Sequence, residues 1–134
     1  MGRPGRLGRL RRLCKLKCMH DYHKLLVWQK SFAFVLDVYR LTKKFPREEL
    51  FGLVSQFRRA AVSIMANIVE GRGKPTEKDF LRYLYISKGS LNECQCFLEL
   101  AEGLKYITSL ELNDCLKKVA ELGFLLNKLI QSIS

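Results

Sequence analysis

An all-α fold, an antiparallel up-down-up-down four-helix bundle, is what this 134-residue sequence predicts, and three observations predict it. Along four stretches apolar residues recur at steps of three and four, the period of one face of a helix. The breakers between them, Phe45-Pro46, Gly71-Arg72-Gly73-Lys74-Pro75 and Tyr106 to Ser109, are short, so neighbouring helices run antiparallel. Nothing in the chain reads as a strand or as an internal repeat.

The first helix is expected from Leu25 to Lys44, with Trp28, Phe32, Val35 and Tyr39 on its buried face. Pro46 stops it, because the residue before a proline is pushed out of the α region, and the next turn starts at Arg47-Glu48-Glu49-Leu50. The second helix spans Leu50 to Glu70 and closes at Gly71, a usual helix end. Its core stripe is Leu53, Phe57, Ala60, Ala61, Ile64 and Ile68. Val62, Met65 and Val69, with the stem of Arg58, widen that stripe to about 180°, beyond the ~100° that one buried face requires. A second surface must cover the excess.

Thr76-Glu77-Lys78-Asp79 has the form of a capping box and opens the third helix, which runs to Lys105. Its seam is Phe80, Leu84, Ser87, Leu91, Cys94, Leu98 and Ala101, and Tyr83, Tyr85, Ile86, Phe97 and Leu100 lie off that seam. Gly89 in mid-helix costs about 1 kcal/mol against alanine, which predicts either a close helix contact or a bend there. The last helix carries Leu112, Cys115, Val119, Leu122, Leu126, Leu129 and Ile133, the seam of a bundle.

Length and composition fit one soluble globular domain, with 48% hydrophobic and 28% charged residues. The net charge of +11 is uneven: residues 1–18 hold seven cations and no acid, and subtracting them leaves +4 for the rest. Residues 1–20 are therefore set apart as a basic arm, disordered or not native coding sequence, from a bundle domain at 21–134. A nucleic-acid-binding tail, a targeting segment, or an extension ahead of a native start at Met19 would each account for the arm. Neither Cys14/Cys18 nor Cys94/Cys96 has the C-x-x-C spacing of a zinc or redox site, so reduced thiols are expected, with Cys94 and Cys115 as small core residues. With no secretory signal and no apolar run of 18 residues, no membrane association and a cytoplasmic location are expected.

Di-iron and haem bundles need inward carboxylates and histidines such as Glu-x-x-His. The two histidines here, His20 and His23, both precede the first helix. No nucleophile elbow, P-loop or dinucleotide motif occurs, so neither enzymatic activity, nor a metal, nor a cofactor is expected. What remains is surface. Arg58, Arg59, Arg72, Lys74, Lys78 and Arg82 concentrate around the second helix, the loop after it and the start of the third, a footprint for phosphate contact. Tyr83 and Tyr85 either stack on unpaired bases or join Val62, Met65 and Val69 in an oligomer interface. Arg58 and Arg59 either contact nucleic acid or pair with Glu70 or Glu77 across a subunit boundary.

A set of blocks then falls into a known order: Val27-Trp28-Gln29-Lys30, Val38 to Pro46, Glu49 to Leu53, Ser55 to Ile64, Asn67 to Gly71, and Phe80 to Leu84, followed by Gly89-Ser90 and Glu93. Together they resemble the four-helix bundle proteins of the 23S ribosomal RNA intervening-sequence family. The likeness is close over Leu25 to Ile107 and carried by pattern alone in the last helix. Met65 departs from it, standing where the family commonly has proline, which weakens an expected kink. The resemblance implies a bacterial cytoplasmic protein assembled into a ring, a homopentamer. Members are encoded within insertions in large-subunit ribosomal RNA genes or elsewhere in bacterial genomes. A related branch serves diversity-generating retroelements as a basic accessory pentamer that binds a reverse transcriptase and nucleic acid. The expected partners are thus a second copy, structured RNA and, alternatively, a protein such as a reverse transcriptase.

Overall fold

A computed structural model describes residues 21–134. The basic arm, Cys14, Cys18, Met19 and His20 lie outside the described residues. Four α-helices follow one another: α1 (Leu26–Thr42), α2 (Leu53–Arg72), α3 (Glu77–Gly103) and α4 (Ser109–Ile133), with 3-10 turns at Tyr22–Lys24 and Arg47–Glu49. No strand occurs among the described residues. Each helix packs on the next in sequence, α1 also meets α4, and one apolar core runs through all four.

The seams of α2 and α3 are as the periodicity predicts, and every residue named for them is buried. In α4 Cys115, Val119, Leu122 and Leu126 are buried, while Leu112, Leu129 and Ile133 rest on the core edge and Ile130 joins it. The seam of α1 is different. Val27, Ser31, Phe34 and Val38 point inward, the expected spacing shifted by one residue, and of the expected set only Val35 is buried. Phe32 and Tyr39 remain 44% and 39% exposed. The reason is that α1 is apolar on two sectors, and Ser31 makes the true seam look the more polar. Its hydroxyl is satisfied locally, donating to the Trp28 carbonyl at 2.8 Å, as Thr42 donates to Val38 at 2.7 Å.

The helix ends also refine the expectation. α2 continues through Gly71 to Arg72, and Gly73 caps it by donating its N–H to the Val69 carbonyl. Gly71 is a packing residue rather than a terminator: a Cβ there would lie 2.7 Å from Tyr83 Cβ and 2.9 Å from Phe80 Cδ2. At the start of α3, Thr76 accepts from the Asp79 N–H at 3.2 Å, but the Asp79 carboxylate accepts from the Thr76 hydroxyl at 3.1 Å instead of closing a capping box. Aspartate is one methylene shorter than the glutamate such a box uses. The complete box stands at α4, where Glu111 N–H donates to Thr108 Oγ1 at 3.1 Å and Glu111 Oε1 accepts from the Thr108 N–H at 3.0 Å.

Small hydroxyl residues tie α2 to α3. Ser87 Oγ donates to the Ile64 carbonyl and Ser90 Oγ to Ser63 Oγ, both at 2.8 Å. The close contact expected near Gly89 is therefore made by Ser90. Gly89 itself faces open space, with nothing within 4 Å of where its Cβ would be. Across α1 and α4 the links are surface ion pairs, Lys30 with Glu121 at 3.2 Å, Lys118 with Asp37 at 2.7 Å, and Lys44 with Glu111. Pairs this exposed contribute about 0–1 kcal/mol each.

Candidate nucleic-acid and subunit interfaces

The six arginines and lysines singled out in the sequence fall into two groups. Arg58 and Arg72 stand on one helix 14 positions apart, about 21 Å at 1.5 Å per residue. One patch does not include both.

The first group surrounds the loop between α2 and α3. Lys74 Nζ lies 3.2 Å from Glu70 Oε1, and this bond, with the Tyr83 hydroxyl nearby, raises the Lys74 pKa. The Lys74 ammonium and the Arg82 guanidinium sit 5.4 and 5.0 Å from the centre of the Tyr83 ring, within cation–π range. Arg72 Nε is buried without a hydrogen-bond partner, beside a depression of about 160 Å³ lined by Gly71, Lys74, Pro75 and Thr76. Lys78 is exposed one turn on. Four cations thus share one end of the molecule, diluted by Glu70, Glu77 and Asp79.

Arg58 belongs to the fold. Its Nε donates to Thr42 Oγ1 at 2.8 Å, its Nη2 to the Tyr39 carbonyl at 3.4 Å, and its guanidinium lies 4.5 Å from the Tyr39 ring centre. Those bonds serve the C-terminal turn of α1, where backbone carbonyls lack helical partners. Arg59 is exposed on the rim of a groove of about 640 Å³, which Tyr39, Leu50, Phe51, Val54, Arg58 and Val62 also line. Phe51 is 92% exposed. A second hollow continues past Leu50, Val54 and Arg58 to Lys43 and Arg47. No carboxylate among the described residues lines either one. Sequence reasoning missed this groove: with Leu50 and Phe51 taken into the second helix their side chains were not set apart, whereas the helix starts at Leu53 and leaves both exposed together, the mark of an interaction surface.

Of the expected oligomer-interface residues, Val62 and Met65 are partly buried against the edge of the core, and Val69 is partly buried beyond them. Tyr85 is 57% exposed, whereas Tyr83 already works inside the protomer by packing over Gly71. Phe32, Leu36 and Tyr39 add an apolar column on α1, and Ile86, Leu100 and Leu104 do so on α3 and just after it.

Cys94 and Cys115 are buried and Cys96 is exposed, all three as free thiols, and burial pushes the Cys94 thiol up to about 12. Among the described residues no group of three histidine, cysteine, aspartate or glutamate side chains could hold a metal ion. None of the described helices is long and apolar enough to cross a membrane.

A crystal structure of a protein of unknown function from the S23 ribosomal protein family of Bacteroides thetaiotaomicron matches with a TM-score of 0.74 and 30% identity, over 79% of this chain and 96% of that one. No curated protein matches. The family model described as 23S rRNA-intervening sequence protein matches residues 23–128, most of the four-helix region, and the chain belongs to that family.

Proposed function

We propose that this protein is a non-enzymatic, cytoplasmic four-helix bundle, up-down-up-down with antiparallel neighbours, that closes into a homopentameric ring and contacts structured RNA through the cationic end around Tyr83. The contacts Phe57 with Phe97, Ser63 with Ser90, Ile64 with Ser87 and Gly71 with Phe80 support the antiparallel arrangement, since one number rises as the other falls. The ring is supported by the outward apolar column of α1, which a lone protomer leaves in water.

The arrangement of Lys74 and Arg82 about Tyr83, with Arg72 and Lys78 beside them, carries the RNA reading. Clustered cations bind phosphates by releasing counterions, and the family's description names 23S rRNA. Arg58 is committed to α1 and Arg59 to a different face, so neither is part of this contact. The test is affinity for a stem-loop RNA against salt, in the full chain and in a chain beginning at Met19, which lacks seven arm cations. Arg72→Ala with Lys74→Ala is expected to flatten the log–log slope by roughly 1.5. A Met19-start chain that binds no RNA at low salt, or a slope unchanged by the double substitution, refutes the reading. A protein-interaction role, with a reverse transcriptase as the partner, is the second reading, favoured by the groove at Phe51. Binding of a purified reverse transcriptase that survives nuclease treatment and is lost in Phe51→Asp would establish it.

A further inference from the structure

We infer that the occupant of the Phe51 groove is a second copy of this chain, whose outer α3 stripe seats there in register, with Arg59 of one copy facing Glu93 of the next. This rests on the ring reading above and specifies which two surfaces make the joint.

Two unpartnered faces differ in character. The face formed by α1 and α2 is apolar and cationic: Phe32, Leu36, Tyr39 and Phe51 are exposed on it, with Arg58 and Arg59 in a groove wall that has no carboxylate among the described residues. The outer stripe of α3 is apolar and acidic at its middle, with Tyr85, Ile86 and Leu100 exposed and Glu93 exposed between them. Placing the first face against itself would oppose arginine to arginine. Placing it on the second opposes unlike charges and covers both apolar surfaces, so the contact is heterologous, the type that closes rings.

The heights of these groups agree. The Phe57–Phe97 ring pair, centroids 5.9 Å apart, and the Ser63–Ser90 hydrogen bond are two rungs joining α2 to α3. Arg59 and Glu93 both fall between those rungs. Phe51, with Leu100 and Leu104, lies beyond the first rung, and Met65 and Val69, with Tyr85 and Ile86, fall between the second rung and the Gly71–Tyr83 contact. A rotation about an axis running along the helices keeps every group at its own height. Equal heights therefore meet: aromatic to leucine, arginine to glutamate, and valine and methionine to isoleucine and tyrosine. The open space at Gly89, which no contact within the protomer explains, lies on this stripe between Ile86 and Glu93.

The experiment uses half-faced versions of the full chain, treated with nuclease and weighed by analytical ultracentrifugation at micromolar concentration. Leu50→Asp with Phe51→Asp spoils the first face, and Ile86→Asp with Leu100→Asp spoils the second. All four residues are exposed, and circular dichroism checks each fold. Each variant alone is expected to be monomeric, and an equimolar mixture to give a dimer of one chain of each kind and nothing larger. A dimer of the second variant by itself would mean the first face pairs with itself and overturns the inference. Assembly of both variants like the wild type overturns the joint while leaving the ring, whereas a monomeric wild type removes the ring reading itself. Should either aspartate pair unfold, charge reversal decides: Arg59→Glu and Glu93→Arg singly weaken association about tenfold or more, and together restore it. Failure of the pair to restore it refutes the register.

Discussion

Gly71→Ala tests the α2–α3 packing at its tightest point. The added Cβ would meet Tyr83 Cβ at 2.7 Å, Phe80 Cδ2 at 2.9 Å and the Phe80 carbonyl oxygen at 3.3 Å. Carbon atoms in contact prefer about 3.5–4.0 Å, so the deficit at Tyr83 Cβ is close to 1 Å. The Phe80 ring can rotate away. Tyr83 Cβ and the Phe80 oxygen are fixed to the α3 backbone and cannot, so the two helices must separate. Overpacking of this kind costs about 1–3 kcal/mol, against at most ~1 kcal/mol gained from alanine's better helix propensity. Net destabilisation of about 1–2 kcal/mol is expected, which lowers the urea midpoint by roughly 0.5–1 M if the slope is ~2 kcal/mol per M. The measurement is a urea melt at one fixed protein concentration, because association adds to apparent stability. Gly103→Ala is the control: nothing lies within 4 Å of its Cβ position, and no loss is expected. A Gly71→Ala midpoint at or above the wild-type value would refute the close-approach reading and return Gly71 to the role of a helix terminator.

Two further outcomes follow from burial and from the α4 cap. Cys94, raised to about 12, and Cys115, also raised by burial, stay protonated at pH 8 in the folded chain. Mass mapping after alkylation should find both modified only once denaturant is added, and labelling of Cys94 at the unfolded rate would contradict the core placement. The Glu111 pKa is lowered, first by its hydrogen bond from Lys44 and then by the Thr108 N–H. A carboxylate held below its unfolded value stabilises the fold above about pH 4.3, and that stabilisation is lost as pH falls through the lowered folded-state pKa. Glu111→Gln should therefore be less stable than wild type at pH 7 and lose less between pH 5 and pH 3; parallel pH profiles would refute the assignment.

How much of this was legible in the sequence depended on whether apolar residues occupied one sector of a helix or two. On α3 the seven seam residues from Phe80 to Ala101 alternate at four and three, all are buried, and the choice of face was unambiguous. On α1 two seams with the same spacing stand one residue apart, and the aromatic one looks the more apolar. Packing selected Val27, Ser31, Phe34 and Val38, and no local property of Ser31 announces that its hydroxyl will be satisfied by the Trp28 carbonyl. Gly71 was legible as special but not in its role, since a glycine near a helix end is more often a cap than a point of close approach. Thr108-Ser-Leu-Glu111 carries a full capping-box pattern, hidden in the sequence because it overlaps the turn from Tyr106 to Ser109.

The basic cluster was harder to read, because nearness in sequence along a helix is not nearness on a surface. Arg58 and Arg59 are consecutive, yet about 100° apart around α2, and the two side chains have opposite fates. One turns under α1 and is used up on Thr42 and Tyr39; the other stays in water. Arg72, Lys74 and Arg82 look scattered across a helix, a loop and a second helix, yet Lys74 and Arg82 meet at Tyr83 because Gly71 lets α3 come close enough to bring that ring under both. The cationic end thus depends on a glycine that carries no charge. A substitution that spreads the helices there should loosen the site along with the fold, so RNA affinity and stability are expected to fall together in Gly71→Ala, whereas Lys74→Ala lowers affinity and leaves the urea midpoint nearly unchanged. That divergence separates a residue that binds from a residue that shapes the binding surface.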